Sequence, residues 1–204
     1  MQSTFPIPLG AAQDPKALTR TLAGRSFLAV SATALVALCA HVSVPLYFTP
    51  VPVTLQTMAV ILVGLTLGPA LGSAALVLYL AEGVIGLPVF SPNGPGGIAQ
   101  LLGPTAGYLF SYPLAAAAAG GVIRAARAVR LGRSQLPAAI LAGLAASFFI
   151  FAMGAGWLAH LLHLNANAAW HLGVQPFLPG EILKIAAAAG ACTALRKGHR
   201  TGSH

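Results

Sequence analysis

The amino-acid sequence predicts an all-α integral membrane protein with six transmembrane helices. Hydrophobic residues make up 57% of the chain and charged residues only 7%, whereas soluble domains carry about 25% charged residues. Apolar tracts long enough to cross a hydrocarbon core of roughly 30 Å as helices recur along the sequence. Basic residues flank these tracts, so the formal charge of +8 follows the positive-inside rule. This placement favours contact with membrane lipid and argues against binding to nucleic acid.

Proline, glycine and polar residues divide the apolar sequence into six segments. We expect helices over residues 26–44, 53–67, 70–86, 104–126, 136–162 and 179–195. Only Gly68 and Pro69 separate the second helix from the third, and this pair favours a turn. We assign residues 1–25 to a cytoplasmic N-terminal tail, 26–196 to the six-helix transmembrane domain and 197–204 to a basic C-terminal tail.

The placement of basic residues predicts the orientation of the chain in the cytoplasmic membrane. Ten of the eleven Lys and Arg residues form three clusters, which are Lys16, Arg20 and Arg25, then Arg124, Arg127, Arg130 and Arg133, then Arg196, Lys197 and Arg200. Six spans with a cytoplasmic N-terminus bring all three clusters and both termini to the cytoplasmic side. Lys184 is the exception, because it falls in the outer half of the last helix.

The segment between the third and fourth helices predicts an irregular loop on the extracellular side. Residues 87–103 contain three prolines and four glycines, which are incompatible with a regular helix. Irregular backbone at membrane depth persists where protein or a water-filled cavity satisfies its polar groups. We therefore expect this apolar loop to fold into a pocket.

Lys184 and Glu181 are ionisable residues within a transmembrane helix, three positions apart on one face. A charged residue costs about 2.5–3.5 kcal/mol at the middle of a span, and such residues usually mark functional sites. One interpretation is a structural ion pair at the start of the last helix. The favoured interpretation is a ligand site in which the ammonium group faces an anionic substrate.

Two further features have both a functional and a structural interpretation. Glu82, near the outer end of the third helix, either lines the same cavity or bonds a neighbouring helix. Ala29, Thr33 and Ala37 form a stripe of small residues at i+4 spacing on the first helix. This stripe predicts either a docking face for a partner membrane subunit or close packing within the bundle.

The sequence argues against a metal site and against a disulfide. His160 and His163 have i, i+3 spacing and His171 is nearby, but no carboxylate or cysteine joins them as a further ligand. Cys39 and Cys192 both lie within apolar segments, where they are expected to act as small packing residues.

The sequence contains neither a nucleotide-binding P-loop nor a known catalytic signature. We therefore expect a protein that is not an enzyme and that does not hydrolyse ATP by the P-loop route. An intramembrane enzyme remains the alternative, with Glu82 or Glu181 as the acid–base group.

Four segments carry a family resemblance. They read Pro-Val-Thr-Leu-Gln-Thr at 52–57, Gly-Leu-Pro-Val-Phe at 86–90, Gly-Pro-Thr-Ala-Gly-Tyr at 103–108 and Pro-Gly-Glu-Ile-Leu-Lys at 179–184. In this order, and combined with six spans, they resemble the BioY family, the biotin-binding S components of energy-coupling factor transporters.

The resemblance implies a six-helix bundle that captures biotin from outside, with biotin as ligand and no cofactor. Uptake in the family uses a transmembrane coupling subunit and two cytoplasmic ATPase subunits, although some members are thought to act without them. An S component for another small vitamin is the alternative within transport.

The resemblance also implies roles for particular residues in binding biotin. Lys184 is the candidate cation for the carboxylate of biotin. The candidates for the ureido ring are Glu181, Asn93 and Gln56, and the candidates for the apolar wall are Phe90 and Tyr108. The family usually has Asp at the position of Glu181, and the stretch that includes Asn93 also differs from the common pattern.

Overall fold

The computed structural model describes residues 21–129 and 135–201, with side chains up to residue 195. Its elements are α1 (Leu22–His41), β1 (Ser43–Val44), β2 (Val53–Thr54), α2 (Gln56–Val84), α3 (Gly97–Gln100), α4 (Ala106–Ala128), α5 (Leu136–Leu161), α6 (Ala166–Gly173), a 3-10 turn (Gln175–Phe177) and α7 (Leu178–Thr201). Predictions for residues 1–20, 130–134 and 202–204 lie outside the described residues, including those for Lys16, Arg20, Arg130 and Arg133.

Helix α2 folds back on itself at Gly68. The backbone of Gly68 has φ 79° and ψ −179°, a conformation that is essentially restricted to glycine. Pro69 then begins the second segment, where a missing N–H costs nothing. The Nε2 atom of Gln56 donates to the hydroxyl of Tyr79 over 2.6 Å, although a straight helix would place these residues about 34 Å apart. The predicted turn between the second and third helices is therefore confirmed.

The reversal of α2 sets the number of helical segments in the bundle. Five helices of the described residues are long and apolar enough to cross a membrane, and α2 counts once among them. Because α2 reverses, the described chain contains six long helical segments, as the sequence predicted. The second and third segments pack with α4, and α4 packs in turn against α5.

The predicted boundary between the first two helices was wrong, because a β-hairpin lies there. Strand β1 pairs antiparallel with β2, so that Ser43 opposes Thr54 and Val44 opposes Val53. Val44 precedes Pro45, and a residue before proline is biased towards extended backbone. The helices consequently end and begin a few residues short of their predicted ends at this boundary.

The loop of this hairpin packs across the bundle and contacts α6, a helix that was not predicted. The hydroxyl of Thr49 donates to the carbonyl of Leu172 over 2.8 Å. Helix α6 begins where the side chain of Asn165 accepts from the amide of Ala168, a common N-terminal cap. The hairpin and α6 therefore occupy the same end of the bundle, which we call the hairpin end.

The described basic residues of the clusters lie at the opposite end. Arg127 donates to the carbonyl of Leu65, just before the turn at Gly68. Arg124 lies one turn earlier on α4, and Arg25 lies in the first turn of α1, whose last residue adjoins the hairpin. The described basic residues of the clusters, apart from those whose side chains lie outside the description, therefore share one end of the bundle.

Replacing Gly68 with alanine tests the backbone constraint at the reversal. The added Cβ disfavours a positive φ, so we expect Gly68→Ala to lower the free energy of unfolding by roughly 1–3 kcal/mol. Thermal unfolding of the purified protein in detergent measures the change. Gly121→Ala is the matched control, because an added Cβ at Gly121 meets no atom within 4 Å and needs no unusual φ. Equal unfolding temperatures for the two variants would contradict the constraint.

Candidate functional site

An ion pair is buried at the hairpin end of the bundle. Glu181 is 3% exposed and Lys184 is 7% exposed, and both lie in the first two turns of α7. The Nζ atom of Lys184 is 3.4 Å from Oε2 of Glu181. The sequence placed these two side chains on one face of the helix, and the structure brings them into contact.

Two hydroxyl groups from other helices complete this cluster. Thr57 of α2 donates to Oε2 of Glu181 over 2.9 Å and accepts from Nζ of Lys184 over 3.1 Å. Ser147 of α5 donates to Oε1 of Glu181 over 2.7 Å. We call Thr57, Ser147, Glu181 and Lys184 the polar cluster. Both carboxylate oxygens of Glu181 therefore accept hydrogen bonds, and the cluster ties α2, α5 and α7 together.

The sequence prediction missed Thr57 and Ser147. Thr57 ends the segment 52–57 that carries the family resemblance, so its position was marked but its contact was not. Ser147 is the only hydroxyl residue of α5, and a hydroxyl group in the apolar middle of a helix is a usable signal. Its partner could not be read from the sequence, because the two residues are 34 positions apart.

The polar cluster opens onto a cavity of about 560 Å³, part of which is open to solvent. The hairpin contributes Val51 and Pro52 to the walls of the cavity. Aromatic and aliphatic walls come from α4, α5 and the 3-10 turn, including Tyr108, Leu109, Tyr112, Ile150, Phe151 and Phe177. Among the residues that the structure describes, Lys184 is the only Lys or Arg lining this cavity. The site is thus an apolar pocket with one buried ion pair at its wall.

Two glutamine side chains also line the cavity. Gln56, a predicted site residue, has its amide nitrogen directed to Tyr79. Gln100 was not predicted, and its Oε1 accepts from the amide of Gly96 over 3.3 Å while its Nε2 donates to Thr105 over 2.9 Å. Gln100 therefore anchors the irregular loop at the cavity, as a buried amide group must find partners.

Tyr108, another predicted site residue, is part of the cavity wall. Its hydroxyl donates to the carbonyl of Gly173 over 2.7 Å. Its ring packs so closely on α5 that a Cβ at Gly154 would lie 2.2 Å from ring atoms. The absence of a side chain at Gly154 thus permits the position of this wall.

Two predicted site residues of the irregular loop do not reach the cavity. The ring of Phe90 is 3% exposed and packs edge-on against Tyr79, with ring centroids 5.5 Å apart. Asn93 is exposed and donates to the hydroxyl of Ser43 over 2.6 Å. The irregular loop does fold onto the cavity, but Ser91 and Gln100 face it instead.

Glu82 lies away from the cavity lining, in contact with α1. Its Oε1 accepts from the hydroxyl of Thr33 over 3.0 Å, and Thr33 is 2% exposed. Ala29 and Ala37, the other members of the predicted stripe, pack against the hydrophobic core. The geometry favours a bond between helices for Glu82 and internal packing for the stripe, rather than ligand binding and partner docking.

Within residues 21–129 and 135–201, no group of three or more His, Cys, Asp or Glu side chains is arranged to hold a metal ion. His160 instead packs near the ring of Trp157, and His171 bonds the side chain of Gln175.

Comparison with known proteins identifies the family. The model of the BioY family matches residues 13–201. This chain belongs to the BioY family. The four segments quoted above lie within the matched range, and the family resemblance predicted from them is therefore confirmed.

Relatives within the BioY family are similar over most of their length. A protein of Pyrococcus horikoshii, named as a probable biotin transporter, is 41% identical over 68% of this chain and 76% of its own length. Biotin transporters of Thermotoga maritima and Rhizobium etli are each 34% identical, over 81% and 79% of this chain and 91% and 86% of their own lengths. The crystal structure of an S-component for biotin from an ECF-type ABC transporter matches with a TM-score of 0.75 and 26% identity, over 91% of this chain and 95% of its own.

A double-mutant cycle tests the ion pair of the polar cluster. Removing one partner of a buried pair leaves an uncompensated charge and costs roughly 3–5 kcal/mol, whereas replacing both partners costs much less. We expect Lys184→Met to lower the unfolding temperature more than the double variant Lys184→Met with Glu181→Gln. Thermal unfolding of wild type, both single variants and the double variant measures the coupling. Additive losses would show that the two charges do not stabilise each other.

Proposed function

We propose that this protein binds biotin and is the substrate-specificity subunit of a biotin uptake system in the cell membrane. The observation that carries the proposal is the buried pair of Lys184 and Glu181 at the wall of an apolar, partly aromatic cavity. Ligand sites for small molecules combine an apolar lining with a few placed polar groups. The names of the relatives and of the similar solved structure support biotin as the ligand.

The geometry favours the ureido ring, rather than the carboxylate, as the partner of Lys184. A ligand carboxylate bound by Lys184 would also lie close to Glu181, because the two side chains are 3.4 Å apart. Two like charges at about 4 Å repel by roughly 4 kcal/mol at an effective dielectric constant of 20. This repulsion offsets most of the attraction to the lysine, so the pair makes a poor site for an anion.

The neutral ureido ring of biotin matches both members of the pair. Its carbonyl can accept from Lys184, whose ammonium has three N–H donors, while two of them are directed at Thr57 and Glu181 in the described structure. Its N–H groups can donate to the carboxylate of Glu181. Hydrogen bonds to charged groups contribute about 1.5–3 kcal/mol each. The thiophane ring and the aliphatic chain then lie along the aromatic wall that includes Tyr108, Tyr112 and Phe177.

The same features argue against an intramembrane enzyme. The carboxylate of Glu181 is held by two hydroxyl groups and a lysine, which leaves it poorly placed to exchange protons with a substrate. Glu82, the other candidate acid, lies away from the cavity lining. The relatives are named as transporters, which agrees with a binding role.

Ligand binding by the purified protein tests both the function and the orientation. We expect tight binding of biotin by wild type, and Lys184→Met should lower this affinity about 10- to 100-fold through loss of a charged hydrogen bond. Lys184→Met should lower the affinity for biotin methyl ester by the same factor as that for biotin, because in this proposal Lys184 does not meet the carboxylate. Isothermal titration calorimetry measures these constants, with Asn93→Ala as a control variant outside the cavity.

A third ligand separates ureido recognition from a purely structural ion pair. Protonated 2-iminobiotin carries a positive group in place of the ureido carbonyl, so wild type should reject it. Lys184→Met should reduce this discrimination if the lysine faces the ring. An unchanged preference for biotin over 2-iminobiotin would mean a structural role only. A larger loss for biotin than for its ester would return Lys184 to the carboxylate, and preferential binding of another vitamin by wild type would overturn biotin as the ligand.

We further infer that uptake depends on a transmembrane coupling subunit and two ATPase subunits. The sequence contains no P-loop of its own, and the similar solved structure is described as a component of an ECF-type ABC transporter. Uptake of radiolabelled biotin by cells that express this chain with and without the coupling and ATPase subunits tests the requirement. The subunits should raise the rate of uptake and copurify with the chain, whereas equal rates would show that the chain transports alone.

A further inference from the structure

Phe151 of α5 separates two cavities. It lines the cavity beside the polar cluster, which we call the biotin cavity, and it also lines a second cavity of about 1010 Å³ on the outer side of α5, which is likewise partly open to solvent. This second cavity, which we call the lateral groove, is lined almost entirely by apolar residues of α5 and α6, including Phe148, Ala152, Ala155, Ala169 and Trp170. Phe151 is the one residue that contributes to both linings among the described residues.

The position of Phe151 along α5 places it above the polar cluster. Ser147, which contacts Glu181 over 2.7 Å, lies four residues earlier on the same helix. Phe151 therefore lies about 5–6 Å nearer the hairpin end. Phe177 lies the same four residues before Glu181 in the chain and also lines the biotin cavity. Both rings therefore lie on the hairpin side of the polar cluster, where a chain that extends from a ring held at Lys184 and Glu181 would pass if it ran towards the hairpin end.

We propose that Phe151 is a specificity-determining wall of the ligand site, closing it towards the lateral groove and limiting the apolar substituents that a ligand can carry. The inference rests on the proposed binding of biotin and adds a selection by size at the carboxyl end. A derivative whose carboxyl group is extended by an alkyl chain needs space beyond it, and the apolar space nearest to Phe151 is the lateral groove.

Three features carry this assignment. Phe151 is only partly buried, as expected of a side chain with one face in each cavity. The groove beyond it is apolar, so the barrier between the two spaces is steric rather than electrostatic. The lining of the biotin cavity contains no cation besides Lys184 within the described residues, so no second charge there fixes the carboxyl end. Exclusion of extended ligands therefore depends on the shape of the wall.

Replacing Phe151 with alanine should join the two cavities. It should also change how the affinity for biotin N-alkylamides depends on the length of the alkyl group. In wild type, biotin N-methylamide should bind more tightly than biotin N-butylamide and N-hexylamide, because the longer chains collide with Phe151. In Phe151→Ala the order should reverse, since each methylene that enters the groove raises affinity by about fourfold. The readout is the ratio of hexylamide to methylamide dissociation constants, measured by competition with radiolabelled biotin. A general loss of affinity cancels in this ratio.

Phe148→Ala is the matched control, because Phe148 lies three residues away on α5 and lines only the lateral groove. Phe148→Ala should leave the order of the three amides as in wild type. If Phe151→Ala does not fold, Phe151→Leu replaces it, and this smaller change should lower the ratio of hexylamide to methylamide dissociation constants below that of wild type. An unchanged ratio in both Phe151 variants would overturn the proposal, as would a wild type that binds all three amides equally. The proposed function fails separately, if wild type does not bind biotin at all.

Discussion

The organisation of the bundle depends on the compensation of one buried carboxylate. The side chain of Glu181 is almost fully buried, and an isolated charge in a buried position is strongly unfavourable. Thr57, Ser147 and Lys184 together offset this cost by hydrogen bonds and an opposite charge. Because these partners come from different turns of α2, α5 and α7, satisfying Glu181 fixes the spacing of the helices around it. The cavity lies beside the polar cluster, where this spacing keeps α2, α5 and α7 from packing directly against one another.

Polar contacts of this kind have a second consequence for the ligand. The charges of Lys184 and Glu181 compensate each other and both side chains are hydrogen-bonded, so the pair is stable without a ligand and the pocket is formed before binding. Preformed sites lose less free energy to ordering when the ligand arrives. Lys184 and Glu181 thus present a donor and an acceptor at the cavity wall before any ligand is bound, and the proposed recognition of the rigid ureido ring depends on this arrangement.

Much of the fold could be predicted because strong local signals carried it. The helices follow from apolar length, the reversal from Gly68 and Pro69, and the ion pair from helical spacing. Each of these depends on residues that are close in sequence. The proposal that Lys184 meets the ureido ring could not be made from the sequence, because it depends on the 3.4 Å distance to Glu181 and on both residues facing one cavity.

The features that escaped prediction depend on contacts between distant residues. Asn93 bonds Ser43, fifty positions earlier. The sequence left open whether Glu82 bonds a neighbouring helix, and it could not identify Thr33, 49 positions earlier, as the partner. Helix α6 is only eight residues long, too short for an apolar period to stand out. The pairing of Ser147 with Glu181 was likewise invisible, because helix packing alone brings α5 and α7 together.

The reversal at Gly68 has a consequence for the sidedness of everything that follows it in the chain. Helix α2 has 29 residues, and as one straight helix it would be about 44 Å long, enough to cross the hydrocarbon core once with a steep tilt. Such a crossing would invert α4, α5 and α7 relative to α1. Arg124 would then face the side opposite to Arg25, and the mouth of the cavity would be split between the two faces. One glycine conformation thus determines on which side of the membrane the second half of the protein presents its part of the cavity.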